Sequence, residues 1–401
     1  MNDNWRRRLF FVSVAQFLAT CGFGFSLPFI PFFIKEHLGI VDEMQRSMWV
    51  GLFAAGGQLA LCLTSPIWGV VADIYGRRKM LLRAYFGSAL ILPLMIFVPS
   101  PPWLVGLRFV VGMFAGTVTA SQALIASTTP QNKVGYAMGI VVSVVGSGNL
   151  TGMLLGSVMV EYFGYTISFI SSGVLLLVAG LLILYGVTEP FVQQTTLREK
   201  MRETEFRLPQ FGAIWILLIL MSVTGFVTYF ERPFIPQLVE MVTGGINAKR
   251  WVGIVLSCSA VAGIAAGSIM GRLADRFSPP KVGVASALLA GLCTLPVGLS
   301  TCISSLVGFR TGMAFFNAGL DPVLQIWLAK SAPIEKRALF IGWGTSFRAM
   351  GWFFSSTAAG AVAMWGGVRM VFFVASVFFI LLIPMILSAA KKIGVKQQAT
   401  N

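Results

Sequence analysis

Apolar residues in this chain gather into long runs separated by short polar breaks. Neither the strict alternation of a surface strand nor the three-and-four spacing of a soluble amphipathic helix describes them. A first run ends near Ile34, and others cover about 47–71, 80–98, 103–127, 134–160 and 165–187, then 211–236, 250–271, 282–300, 303–329, 337–364 and 367–389. A helix needs ~20 such residues to cross hydrocarbon, whereas a membrane barrel shows short alternating segments. The pattern predicts an all-α membrane protein of twelve transmembrane helices. Arg6, Arg7 and Arg8 precede the first run as in a signal peptide, but no small-residue cleavage site follows, so the run reads as a retained helix.

The pattern is also a repeat. Gly69–Lys79 reads Gly-Val-Val-Ala-Asp-Ile-Tyr-Gly-Arg-Arg-Lys, and Gly271–Lys281 is a weaker copy in which Asp275 stands 202 residues after Asp73. Trp49-Val50-Gly51-Leu52 returns as Trp251-Val252-Gly253-Ile254, and Leu104-Val105-Gly106-Leu107-Arg108 as Leu306-Val307-Gly308-Phe309-Arg310, at the same offset. Pro28-Phe29-Ile30-Pro31 returns at Pro233-Phe234-Ile235-Pro236. Four landmarks in one order mean two homologous six-helix halves. The expected division is 1–187, a charged linker 188–210, and 211–401.

Composition agrees with a bilayer solvent: 56% hydrophobic and 11% charged residues, with a mean hydropathy of +0.81. The net charge of +15 could suggest nucleic acid, but the charges sort by membrane side. Most Lys and Arg fall in alternate loops and at the two termini, while the opposite loops hold Lys35, Arg46, Lys249, Arg250 and Arg369. That asymmetry predicts both termini in the cytoplasm. Cys21, Cys62, Cys258, Cys293 and Cys302 lack metal-ligand spacing and read as packing residues. His37 reads as a solvated residue at an outer helix end.

Candidate chemistry lies in two places. In the loop, Asp73 sits among Arg77, Arg78 and Lys79 at a membrane edge, where carboxylate and guanidinium can bond in one conformation and part in another; Asp73 could also cap a helix. Gly69, Asp73, Gly76, Arg77, Arg78 and Lys79 are therefore expected to form a gate, with Asp275 in a weaker second copy that has Ser278-Pro279-Pro280 in place of Gly-Arg-Arg. Inside the helices, Arg108, Glu231, Arg232, Arg310, Asp321 and Arg348 each cost at least ~2.5 kcal/mol unless paired or wet. Arg310, Asn317, Asp321 and Gln325 fall on one helical stripe. The substrate-cavity candidates are Arg108, Arg232, Arg310, Asn317, Gln325 and Arg348. Glu231, next to the helix-weakening Pro233, and Asp321 are the proton-coupling candidates, ahead of Glu161 at a helix end. Phe23, Phe25, Phe29, Tyr229, Phe230, Trp327, Trp343 and Trp352 could furnish a lipophilic surface.

Gly69-x-x-x-Asp73-x-x-Gly76-Arg77-Arg78-Lys79 and Arg108-x-x-x-Gly112 resemble the signature loop and second motif of the major facilitator superfamily, within it the twelve-helix drug:proton antiporters. The resemblance implies a cavity lined by helices 1, 4, 7 and 10 and a place in a bacterial cytoplasmic membrane. It departs in helix 5, where those antiporters carry Gly-Pro followed by Gly-Gly. Here Gly148, Gly152 and Gly156 remain at small-xxx-small spacing, and Met153 replaces the proline.

These readings lead to proton-coupled export of lipophilic or amphiphilic small molecules. The alternatives are transport of a specific organic anion or zwitterion, such as a siderophore or metabolite, and a non-transporting membrane sensor. An enzyme is not expected, since no catalytic set, metal cluster or phosphate loop is present in the sequence. The expected partners are a small-molecule substrate, protons and the lipid bilayer, with no cofactor, metal or nucleic acid, and the chain is expected to act as a monomer.

Overall fold

The structure, a computed structural model, describes residues 4–130, 133–189, 212–331 and 337–398, and all statements below concern these. Helix α1 comprises Asn4–Ser26, a 3-10 turn at Leu27–Phe29, and Ile30–Glu36. It is followed by α2 (Glu43–Tyr75), α3 (Arg77–Leu94) and α4, which is split into Pro101–Phe114 and Thr117–Thr128. The stretch Val134–Gly186 reverses direction at Gly164 (φ 78°, ψ 178°), giving α5 (134–163) and α6 (165–186).

The second half repeats this plan. Helix α7 is Gly212–Tyr229, a 3-10 turn at Arg232–Phe234, and Ile235–Thr243; α8 is Ala248–Arg276 and α9 is Pro279–Leu299. Helix α10 is split into Ile303–Asn317 and Leu320–Ser331. Arg337–Gln398 reverses at Gly367 (φ 78°, ψ 170°) to give α11 (337–366) and α12 (368–398). The described residues thus form twelve passes in two pseudo-symmetric halves, as the run pattern predicts.

The interruptions have sequence causes. Pro28 and Pro31 in α1, and Pro233 and Pro236 in α7, remove backbone donors and force the 3-10 turns. Gly116 (φ 107°) breaks α4 in the left-handed region, which glycine enters without penalty. Two carbonyls at that break find donors nearby: Met113 O accepts from Trp68 Nε1 at 2.9 Å, and Ala115 O from Arg83 at 3.2 Å. In α10 the break follows Asn317, and Pro322 in the restarting helix has no N–H to give to residue 318. The expected stripe from Arg310 to Gln325 is therefore cut in two, and the continuous-helix reading is corrected.

Small residues bring the helices together. A Cβ on Gly148 would stand 2.7 Å from Phe17 O, one on Gly152 2.8 Å from the Cys21 Cα, and one on Gly156 2.6 Å from the Phe25 Cα. The backbones of α1 and α5 therefore touch along this stripe. Between the halves, Gly51 on α2 meets Gly360 on α11, and Gly253 on α8 meets Met153 O on α5. One apolar core runs from the first half into the second through Phe234, Val239, Val252 and Phe372, and another lies within the second half around Leu217, Leu320 and Phe379.

Candidate substrate cavity and its gates

Between the halves lies a cavity of about 460 Å³. Its wall is built where the interrupted helices turn: Leu27–Pro31 of α1, Tyr229 and Arg232–Pro236 of α7, Arg108 of α4, and Arg310 to Ala318 of α10. Further wall comes from α2 (Val50, Phe53, Ala54), α5 (Asn149, Met153) and α8. Proline and glycine breaks let side chains leave these helices at angles that a continuous helix would not allow.

Of the sequence candidates, Arg108, Arg232, Arg310 and Asn317 line this cavity. Asp321, Gln325 and Arg348 are not part of its wall. Asp321 pairs with Arg348 across α10 and α11 at 3.4 Å, and Arg348 lies over the Trp352 ring at 5.2 Å. Glu231 is 1% exposed and meets Arg310, itself 6% exposed, at 2.9 Å. Arg310 stands in the wall and Glu231 does not, and together they set a neutral dipole where a single ion would be costly. Arg310 also approaches the Met313 sulfur at 2.7 Å. Of the aromatic candidates only Tyr229 reaches the wall; its hydroxyl accepts from Gln58 Nε2 at 3.0 Å, and its ring tilts against Trp352. Phe25, Phe29, Phe230 and Trp327 are core residues. Phe53 and Gln58, both on α2, were missed by the sequence reading because each looks like an ordinary member of an apolar run.

Across the end of the bundle that carries Glu240, ion pairs tie the halves together. Glu240 is 9% exposed and takes both Lys35 of α1 and, at 2.8 Å, Arg46 of α2. Glu36 accepts from Lys249 at 2.7 Å and from Tyr165 at 2.9 Å. Ser47 and Gln237 hydrogen-bond between the same helices. Lys35 and Glu240 are the same position of the repeat, 205 residues apart, bearing opposite charges. His37 is more anchored than expected: it stacks on Phe33 and bonds to Ile96 O at 3.2 Å.

At the opposite end, Gly76 (φ 92°, ψ 151°) makes the turn between α2 and α3, which accounts for a glycine there. The α3 N-terminus is capped from a distance: Glu189 accepts from the backbone N–H of Arg77 at 3.2 Å and of Arg78 at 2.8 Å. The Arg78 guanidinium reaches Leu184 O at 2.6 Å. Lys79 is exposed. Gly69 lies within α2, while the side chains of Asp73 and Asp275 lie outside the described residues, as does the linker from 190 to 211. No group of metal-ligating side chains occurs among the described residues.

A family model, the Major Facilitator Superfamily, matches residues 12–247 and 232–397. The chain belongs to this superfamily. Major facilitator proteins are transporters, and this chain is an integral membrane member. It is 29% identical over 338 residues to the multi-drug resistance efflux pump PmrA homolog of Lactococcus lactis, covering 83% of this chain and 82% of that one. It is 28% identical over 375 residues to the multidrug resistance protein MdtG of a Rahnella species, covering 92% and 90%. Among solved structures, the nucleoside transporter NupG shares the fold with a TM-score of 0.77 at 12% identity, over 98% of this chain and 100% of that one.

Proposed function

We propose that this transporter exports amphiphilic small molecules from the bacterial cytoplasm in exchange for protons, working by alternating access as a monomer with both termini inside. The observation that carries this reading is a mostly apolar cavity between the halves whose wall includes Arg310, ion-paired to the buried Glu231 outside the wall, and which is sealed at one end by the cross-half contacts of Glu240. The efflux-pump relatives support the export direction.

In the ionised state Glu231 holds Arg310 on α10. A proton taken up at Glu231 removes that hold, so α7 and α10 part and the wall changes shape; release of the proton to the cytoplasm restores the pair. Asp321 with Arg348 is the second candidate for the same cycle. On this topology the Glu240 end faces outward. The loop from Gly69 to Lys79, with Asp73, gates the inner end, and Asp275 serves its weaker copy.

Purified protein in liposomes with an imposed pH gradient tests the proposal. One coupled proton can hold a substrate gradient of roughly fortyfold per 100 mV. Glu231→Gln is expected to abolish uphill transport while downhill exchange persists. If Glu231→Gln, Asp321→Asn and the double variant all still concentrate substrate in a pH-dependent way, the coupling assignment fails.

A further inference from the structure

The charge of the substrate follows from the counter-ions of the cavity. Three guanidinium groups line it, and no carboxylate stands in its wall among the described residues. Glu231 neutralises Arg310 from behind, and Asp321 is taken by Arg348 elsewhere. Neither Arg108 nor Arg232 forms an ion pair with a carboxylate among the described residues, although Arg232 lies within electrostatic reach of Glu231, whose direct partner is Arg310. Arg108 Nε is buried without a hydrogen-bond acceptor, and its guanidinium is laid on Gly57, where a Cβ would stand 2.6 Å from Nε. Gly57 thus holds the arginine in one place. Its remaining neighbours are soft: the Phe53 ring at 5.5 Å and, within electrostatic reach, Tyr229. The Arg232 guanidinium lies 5.7 Å from the centroid of the same Tyr229 ring. The Tyr229 oxygen already accepts from Gln58, so its proton is free to be donated.

We propose that the cavity takes small organic anions, with a carboxylate or phosphonate head held between Arg108 and Arg232 and hydrogen-bonded by the Tyr229 hydroxyl, and an apolar body against Phe53 and the α1 turn. The proposal rests on the transport reading and adds the substrate class. Arg108 belongs to the first half and Arg232 to the second, so one anionic head draws the halves together at the level of the helix breaks. The two guanidinium groups offer only donors, the Tyr229 oxygen is already engaged by Gln58, and the paired positive charges repel an ammonium head. The efflux of cationic amphiphiles is accordingly disfavoured by this wall.

Titration calorimetry on the full-length protein in detergent, with naphthylacetate, naphthylacetamide and naphthylmethylamine, tests the class with one apolar body and three heads. The acid is expected to bind roughly tenfold or more tighter than the amide, with no measurable binding of the amine. Arg108→Gln and Arg232→Gln should each erase the preference for the acid, and Arg108→Lys should retain part of it. Arg232 is exposed to the cavity, so its variant carries the test if Arg108→Gln does not elute as a single species. Equal or tighter binding of the amine, absent binding of the acid, or an unchanged preference in the folded variants overturns the proposal. If the acid binds as expected but is not moved in liposomes, the transport reading fails and the anion site stands. If the amine is moved under a pH gradient and the acid does not bind, the reverse holds.

Discussion

The two halves of this transporter repeat one backbone and use it in opposite ways. In the first half, polar groups are spent on the interior: Gln16 Oε1 accepts from Tyr85 at 3.0 Å and from Ser121 at 2.9 Å, all of them fully buried, while its amide faces Thr117. The equivalent positions in the second half are Met221, Ala287, Val323 and Gly319. At these four positions the second half has no polar side chain, and charged and amide groups appear at other positions instead. Glu231 and Arg232 stand where the first half has Ser26 and Leu27, Asn317 where it has Ala115, and Asp321 where it has Thr119. The first half is thereby fixed by hydrogen bonds that all have to be made together, and the second carries its charges as pairs that, on the proposed cycle, a proton releases. On that proposal the duplicated fold becomes a rigid half working against a switchable one.

The largest expected effect comes from the pair that has no first-half counterpart. Glu231→Gln leaves Arg310 buried beside a neutral amide, and breaking a buried pair from one side costs about 3–5 kcal/mol. Replacing both, Glu231→Gln with Arg310→Met, removes the lone charge and should recover much of that loss. Thermal unfolding in detergent of the two singles and the double decides it. If the double variant is no more stable than Glu231→Gln, the two groups do not act as a pair, and the contrast between the halves loses its main support.

Helix packing offers the next test, because the same contact is made differently in the two copies. Gly152 lets α5 lie on the Cys21 backbone, while its counterpart Ser355 on α11 donates to Phe226 O at 2.6 Å. Exchanging them should be asymmetric. Gly152→Ser forces α1 and α5 apart, an overpacking cost of about 1–3 kcal/mol. Ser355→Gly mainly loses one hydrogen bond, about 0.5–1.5 kcal/mol. Equal losses of melting temperature would mean that the first-half stripe is not the tighter one.

A third test moves the interior chemistry itself. Gln16→Met installs the second-half residue and strands the hydroxyls of Tyr85 and Ser121, with a penalty of about 1–3 kcal/mol for each buried unsatisfied group. Adding Tyr85→Phe and Ser121→Val removes the stranded groups and should restore most of the stability. Transport is expected to survive in the triple variant, since none of these residues lines the cavity.

How much of this was readable beforehand differs with the kind of feature. The twelve helices and the duplication are local or periodic, so the runs and the repeated landmarks display them. Glu231 and Arg310 stand out as charges in apolar runs, but that they meet depends on how α7 packs on α10. Gln16, Tyr85, Thr117 and Ser121 come from three helices, and each alone is an unremarkable polar residue in a membrane span. The stripe on α10 was overextended because helical spacing assumes a continuous helix, which Gly319 and Pro322 do not permit. Glu189 looked like the start of the linker, and its capping of α3 needs α6 and α3 side by side. The opposite charges of Lys35 and Glu240 at one repeat position were visible in the sequence; only the pseudo-symmetry that brings them face to face gave them meaning.

The smallest effect belongs to a position where the halves differ by one atom. Ser100 precedes the first turn of α4 and Cys302 that of α10, both with extended backbone and neither capping its helix through the side chain. Cys302→Ser should change neither transport nor melting temperature beyond ~0.5 kcal/mol. The thiol nonetheless departs from the packing role expected of it: Cys302 is exposed, whereas Cys21 is buried and Cys62, Cys258 and Cys293 are partly buried within helices. Hydrogen bonding with Ser304 and Ser305 lowers its pKa to about 7. A lowered thiol pKa enlarges the thiolate fraction at neutral pH, so labelling by a membrane-impermeant maleimide should rise between about pH 6 and 8 and then level off. On the proposed topology this turn faces outward, and intact cells should be labelled in a way that Cys302→Ser abolishes. Labelling that appears only after the membrane is opened would invert the orientation, and with it the end of the bundle at which Glu240 seals the halves.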